Sequence, residues 1–212
     1  EWELPEPLQL EDNIVLAWIG DMRQPSHTIE NYHECLTAIK VRYEKWVGWY
    51  INYIWVDHDM ALTFEREIYG WPANLCENTP LNIFGSQVIG ECIRYGEPLM
   101  KMSFNVTSVP KYGRSSPDPH EEKFINLIAG DFLQIRKFPP PEKDGRPIKD
   151  LVLIPTTNFT INEVWEGNCK TTLYESGLYP HLDKLKPIEV LGSFYLKCGW
   201  IVPYPQIIWK EK

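Results

Sequence analysis

Glu34 is the residue that most directly offers acid–base chemistry. It lies in NYHECLTAIKV (residues 31–41), a segment that reads as a strand entering a core. A carboxyl enclosed in an apolar barrel has a raised pKa, which suits proton transfer near neutrality. His33 precedes it, but neighbours on a strand point to opposite faces, so the two do not act together. Arg66 and Glu67 form a second polar pair. They could orient a substrate carboxylate or carbonyl, or tie a helix to a barrel as an ion pair. The third feature is YGWPAN, residues 69–74. Gly70 tolerates positive φ and Pro72 cannot continue a helix, so the turn is stiff and displays the next two side chains. These are Ala73, which is inert, and Asn74, whose amide could hydrogen-bond a carbonyl or enolate oxygen.

Other chemistries find little support. His27, His33, His58, His120 and His181 are dispersed, with no H-x-H or H-E-x-x-H spacing, so neither a metal nor a cofactor is expected. The cysteines, at 35, 76, 92, 169 and 198, show no C-x-x-C. That argues against a disulfide framework and for reduced thiols in the cytoplasm. Net charge is −8 without a basic run, which speaks against nucleic acid. No apolar run approaches the roughly 18 residues of a membrane helix. A chain of 212 residues suits one domain, residues 1–212, with a substantial core. It opens on Glu1 rather than Met, which implies a start inside a longer protein.

The elements that must position these residues are mostly strands. IVLAWI (14–19) enters a core, and WVGWYINYIWV (46–56) is apolar on both faces. Strict alternation puts Val47, Trp49, Ile51, Tyr53 and Trp55 on one face of that strand. A short helix follows, capped by Asp57 or Asp59 and packed through Met60, Leu62, Phe64 and Ile68. Residues 81–109 read as two or three antiparallel strands with turns near Gly85, Gly90 and Gly96. The clearest helix runs from Asp118-Pro119 to Gly130, and Asp144-Gly145 suits a hairpin. The fold class is mainly β (α+β), an antiparallel barrel or cone closed around an aromatic interior, with a few flanking helices.

In order and spacing these segments resemble the acetoacetate decarboxylase superfamily. LPEPLQLED (4–12) is similar to its VPEPL opening, and FEREIYGWP (64–72) to its GRELSAYP segment. FTINEVWEGNCKTTLYES (159–176) is similar to its TVHEAWTG core. The likeness spans nearly the whole chain, except the family's N-terminal segment, which there contributes an arginine facing the substrate. The resemblance implies the barrel fold, a carbonyl-bearing substrate and a homo-oligomer. It also exposes a departure. The family follows Pro with Lys-Lys, whose first lysine forms a Schiff base with a β-keto acid; this chain has Ala73 and Asn74. A family glutamate on the early strand falls at Trp18, while Glu34, Arg66 and Glu67 match residues the family has. Trp71 and Tyr53 match lining positions.

The expected function is therefore biosynthetic catalysis without a Schiff base. Glu34, Asn74 and Arg66 would act on a hydrophobic carbonyl-containing small molecule lined by Trp18, Tyr53, Glu67, Trp71 and Ala73. Cyclisation, dehydration, isomerisation and enol-type decarboxylation are the candidate outcomes. Two alternatives stand beside it: a non-catalytic binder with the same cavity, and a decarboxylase whose lysine has moved, for instance to Lys101 or Lys111.

Overall fold

The computed structural model describes residues 4–23, 30–77, 80–108, 111–112, 129–140 and 142–211. The chain is mainly β and forms two curled sheets. In the first, β1 (Gln9–Met22), β2 (Tyr32–Tyr43) and β3 (Trp46–Val56) form an antiparallel meander. A helical turn α1 (Asp59–Phe64), a wider π turn (Glu65–Tyr69) and β4 (Ala73–Leu75) follow. The second sheet holds β5 (Asn82–Phe84), β6 (Gln87–Arg94), β7 (Glu97–Val106) and β8 (Lys111–Tyr112). The chain then returns to the first sheet through β9 (Phe132–Phe138) and β10 (Ile148–Ile154), crosses to the second through β11 (Thr157–Leu173) and β12 (Phe194–Ile201), and ends in the first as β13 (Gln206–Lys210). The orders are β1-β2-β3-β9-β10-β13, with β4 beside β3, and β12-β11-β7-β6-β5, with β8 beside β11.

Most pairings are antiparallel, but β3 pairs parallel with β4 and touches β9 in parallel. Parallel neighbours need a crossover of a dozen or so residues, and here α1 with the π turn supplies it. That crossover carries a helical turn across one face of the sheet. Residues 113–128, where the sequence suggested the clearest helix, lie outside the described residues. Of the expected turns, Gly85 and Gly96 take positive φ, 59° and 76°. Gly90 instead sits inside β6, opposite Met102. The β9–β10 hairpin closes around Asp144-Gly145, with the Gly145 amide donating to the Glu142 carbonyl at 3.0 Å.

One irregularity decides which residues share a face. Along β2–β3, Thr37 faces Tyr53 but Ala38 faces Ile51, so Asn52 is the extra residue of a β-bulge. The bulge reverses the alternation expected for β3. Trp49 and Ile51 share a face with Ile54 and Val56, while Tyr53 and Trp55 share the other. Polar side chains hold the bulge. Thr37 Oγ1 donates to Asn52 Oδ1 at 3.0 Å, and the Gln134 amide bonds both the N–H and the C=O of Ile51, each at 3.1 Å. Gln134, 1% exposed, thus stands in for a stretch of neighbouring backbone.

The two faces bury different layers. One gathers Tyr32, Leu36, Ala38, Trp49, Ile51, Ile54, Val56, Ala61 and Ala73, with Leu16, Trp18, Trp71 and Phe132 against them. The other packs Cys35, Tyr53 and Trp55 onto Cys92, Leu99, Met100 and Leu173 of the second sheet. Each fully buried large side chain in these layers stabilises the fold by about 1.5–3 kcal/mol before entropy is subtracted. The first layer is where a carboxyl-bearing site is built.

Candidate functional site

Three polar side chains are set in the first apolar layer: Tyr32 and Glu34 from β2, and Glu65 from the start of the π turn. They are 7%, 5% and 2% exposed. Period-two alternation sends Tyr32 and Glu34 to the same face as Leu36 and Ala38. Glu65 arrives from the crossover, whose buried stripe is Ala61, Glu65 and Tyr69 at i, i+4, i+8. His58 caps α1, its Nδ1 accepting from the Met60 amide at 3.2 Å. Gly70 ends the turn at φ 73°, where a Cβ would lie 2.6 Å from Arg136 Cγ. No other residue suits that position, because the conformation is left-handed and the space is taken.

The Tyr32 hydroxyl lies 3.4 Å from Glu65 Oε1 and within hydrogen-bonding reach of Glu34 as well. A phenol both donates and accepts, so it links the two carboxyls. Burial pushes the Glu34 carboxyl up to about 7, against a smaller lowering by Tyr32. Burial, then the charge of Glu34, holds Glu65 well above the ordinary carboxyl range. Burial and the two acids also raise the Tyr32 phenol. Two carboxyls that cannot both ionise cheaply share a proton near neutrality.

Indole donors border the pair. Gly20 is the direct cross-strand partner of Glu34, and a methyl built on it would lie 2.5 Å from Trp18 Nε1. The absent side chain makes room for the indole N–H beside Glu34. Trp18 Nε1, Trp71 Nε1 and Glu65 Oε2 are all buried without a hydrogen-bond partner among the described residues. Such orphaned groups are costly in a stable core, and a ligand, an ion or water can complete their bonding. Trp71 stacks on Tyr69 at 4.8 Å and leans on Phe132 at 5.6 Å. It also borders an open recess of about 230 Å³, lined further by Tyr50, Arg66, Pro72 and Lys137.

The structure brings together Glu34, Trp18, Trp71 and Ala73; Ala73, 1% exposed, pairs with Ile54 in this layer. It does not bring in the others. Tyr53 lies on the opposite face, stacked on Trp55 at 5.6 Å and edge-on to Tyr179, because the bulge at Asn52 turns it there. Asn74 sits beside Trp55, and its amide donates to the Pro72 carbonyl at 2.9 Å, so it holds its own turn. Arg66 and Glu67 are exposed, since the wide turn directs Glu65 inward and its successors outward. Arg66 faces the recess instead. His33 lies away from the pair, its Nδ1 2.5 Å from Asp57 Oδ2 and its Nε2 3.6 Å from Asp21. Lys101 pairs with Glu91 at 3.8 Å, and the side chain of Lys111 is outside the described set. Lys40 is half-buried over the Trp49 ring, and burial lowers its pKa. It stands about 20 Å along β2 from Glu34 at the usual rise per residue.

Tyr32 and Glu65 are the members that sequence reasoning missed. A signal for Glu65 existed. Laid on GREL, the segment EREI puts Glu65 where the family motif has glycine. Ala61, Glu65 and Tyr69 also share helical spacing, whereas Met60 and Phe64, the expected packing residues, are 53% and 39% exposed.

Among the described residues no helix is long and apolar enough to cross a membrane. The sequence profile described as "Acetoacetate decarboxylase (ADC)" matches residues 3–211. The acetoacetate decarboxylase of Clostridium acetobutylicum is 25% identical over 207 residues, covering 97% of this chain and 80% of its own. The crystal structure of acetoacetate decarboxylase from Legionella pneumophila superposes with a TM-score of 0.83 at 20% identity, over 98% of this chain and 78% of that one. The enduracididine biosynthesis enzyme MppR superposes with a TM-score of 0.64 at 17% identity, over 84% of this chain and 66% of its own.

Proposed function

The chain belongs to the acetoacetate decarboxylase family, and from that premise we propose that it is a biosynthetic enzyme acting on a hydrophobic carbonyl compound without a Schiff base. The observation that carries this reading is the exchange of groups in one layer: Ala73 stands where the family lysine would be, and a second buried carboxyl, Glu65, joins Glu34. An enzyme with no amine electron sink still activates a carbonyl by hydrogen bonding its oxygen while a base removes the neighbouring proton. The Trp18 N–H is the donor to the oxygen. Glu34 takes the proton from the adjacent carbon and returns it elsewhere, which yields isomerisation, dehydration, cyclisation or loss of carbon dioxide through an enol. MppR, a neighbour in fold, has been seen in complex with the condensation product of pyruvate and imidazole 4-carboxaldehyde.

The test is hydrogen–deuterium exchange α to the carbonyl of 4-phenylbutan-2-one in D₂O, followed by proton NMR. The wild type accelerates exchange, and Glu34→Gln reduces it by about 100-fold, the usual scale for losing a general base. Enzyme treated with ketone and borohydride, freed of both and assayed with fresh ketone keeps its activity. Binding of the ketone without exchange would establish the non-catalytic alternative; a borohydride-trapped lysine adduct would establish the relocated-lysine one.

A further inference from the structure

The groups that face the Glu34–Glu65 pair are of one kind. Among the described residues Tyr32 is the other titratable side chain beside the pair, while Lys40, over the Trp49 ring of the same layer, stands about 20 Å away along β2. β1 presents Trp18 and Gly20, β3 presents Ile54 and Val56, β4 presents Ala73, and β9 presents Phe132. No Lys, Arg or His of the described residues is among them, and neither carboxyl owes any of its shift to a cation. Glu65 Oε2, on a side chain 2% exposed, has no hydrogen-bond partner among the described residues.

We infer that the substrate carries a basic nitrogen that sits between Glu34 and Glu65, and carries no free carboxylate at that end. The inference rests on the reading that this pair is the working site. A carboxylate between the two acids would bring a further negative charge into a dry layer that already holds one and in which the described residues offer only neutral donors, so repulsion disfavours it at that point. An ammonium has three donors and no acceptor, which matches the open oxygen of Glu65 and the carboxylate of Glu34. The rings of Trp18, Trp71 and Phe132 supply faces to which a cation is attracted. Charge in this site is thus arranged in reverse of a lysine-based one, with the acids on the protein and the amine on the ligand. Arrival of the cation favours ionisation of both acids, so binding releases the proton they share.

A matched set of probes tests this: 4-phenylbutan-2-amine, 4-phenylbutan-2-one and 3-phenylpropionate, alike in shape and differing in charge. Isothermal titration at pH 7 in buffers of different ionisation enthalpy should give the order amine, ketone, acid. The amine should bind at least about tenfold more tightly than the acid and release protons. Glu65→Gln, nearly isosteric, should remove most of the preference and the proton release while leaving the fold intact by circular dichroism. An acid that binds as tightly as the amine overturns the inference, as does a preference unchanged in Glu65→Gln. Failure here is separable from failure of the broader reading. Ketone exchange with the acid preferred sinks only the basic substrate, whereas amine preference without ketone exchange supports it and sinks the acid–base enzyme.

Discussion

Burial of Glu34 and Glu65 ties the stability of the fold to pH. The native state keeps Glu34 protonated up to about 7, while the unfolded chain releases that proton near the ordinary 4.5. Between those values the folded form binds more protons, so the favourable contribution is complete below about 4.5 and is lost as pH rises through about 7. Denaturant midpoints of the wild type should therefore fall between pH 5 and 8, a loss on the order of a few kcal/mol. Glu34→Gln should flatten the dependence and be the more stable protein at pH 8; a curve that keeps its full slope in this variant would sink the assignment. Trp18 separates the same two demands. Its Nε1 bonds to nothing among the described residues, so Trp18→Phe should change stability by less than about 1 kcal/mol yet slow ketone exchange by roughly tenfold. Glu34 was legible in the sequence because strand alternation alone puts it with Leu36 and Ala38. Glu65 was not, because in the triplet Glu65-Arg66-Glu67 the choice of inward side chain is made by the width of the turn, and reading its apolar neighbours as the packed face pointed elsewhere.

At the level of elements, the strands and their tight hairpins could be read from alternation and turn residues, but the pairings of β3 could not. A bulge leaves little mark in a strand that is apolar on both faces, so Tyr53 was placed with Trp49 although Asn52 separates them. The parallel pairing of β4 depends on a crossover whose path is tertiary. The bulge should also be a weak point when its polar supports are removed. Gln134→Leu keeps the volume but leaves the N–H and C=O of Ile51 unpaired in a buried strand, which should cost about 2–4 kcal/mol by equilibrium urea unfolding. Ile51 belongs to the layer that holds Glu34, and Asn52 sets which residues of β3 face it, so the variant should lose exchange activity as well; full stability in Gln134→Leu would mean that water replaces the amide freely.

For the molecule as a whole, the family fold persists around a site whose charges have been exchanged, and the exchange should be reversible by design. Ala73→Lys alone puts an ammonium into the layer that holds Glu34 and Glu65. The two acids would keep it protonated, and a protonated amine is no nucleophile. Borohydride treatment with acetoacetate should then leave the mass of Ala73→Lys unchanged at pH 7. The double variant Glu65→Gly, Ala73→Lys restores both positions of the family motif at once and keeps Glu34, which that motif also has. Removing Glu65 takes away one counter-charge and opens the volume its side chain fills, so the lysine is more easily neutral and has room for a keto acid. The double variant should gain the mass of a reduced adduct on the peptide containing residue 73. Equal trapping by the single variant would show that Glu65 does not govern the charge of the site, and the account of a carboxyl pair working in place of an imine would fail with it.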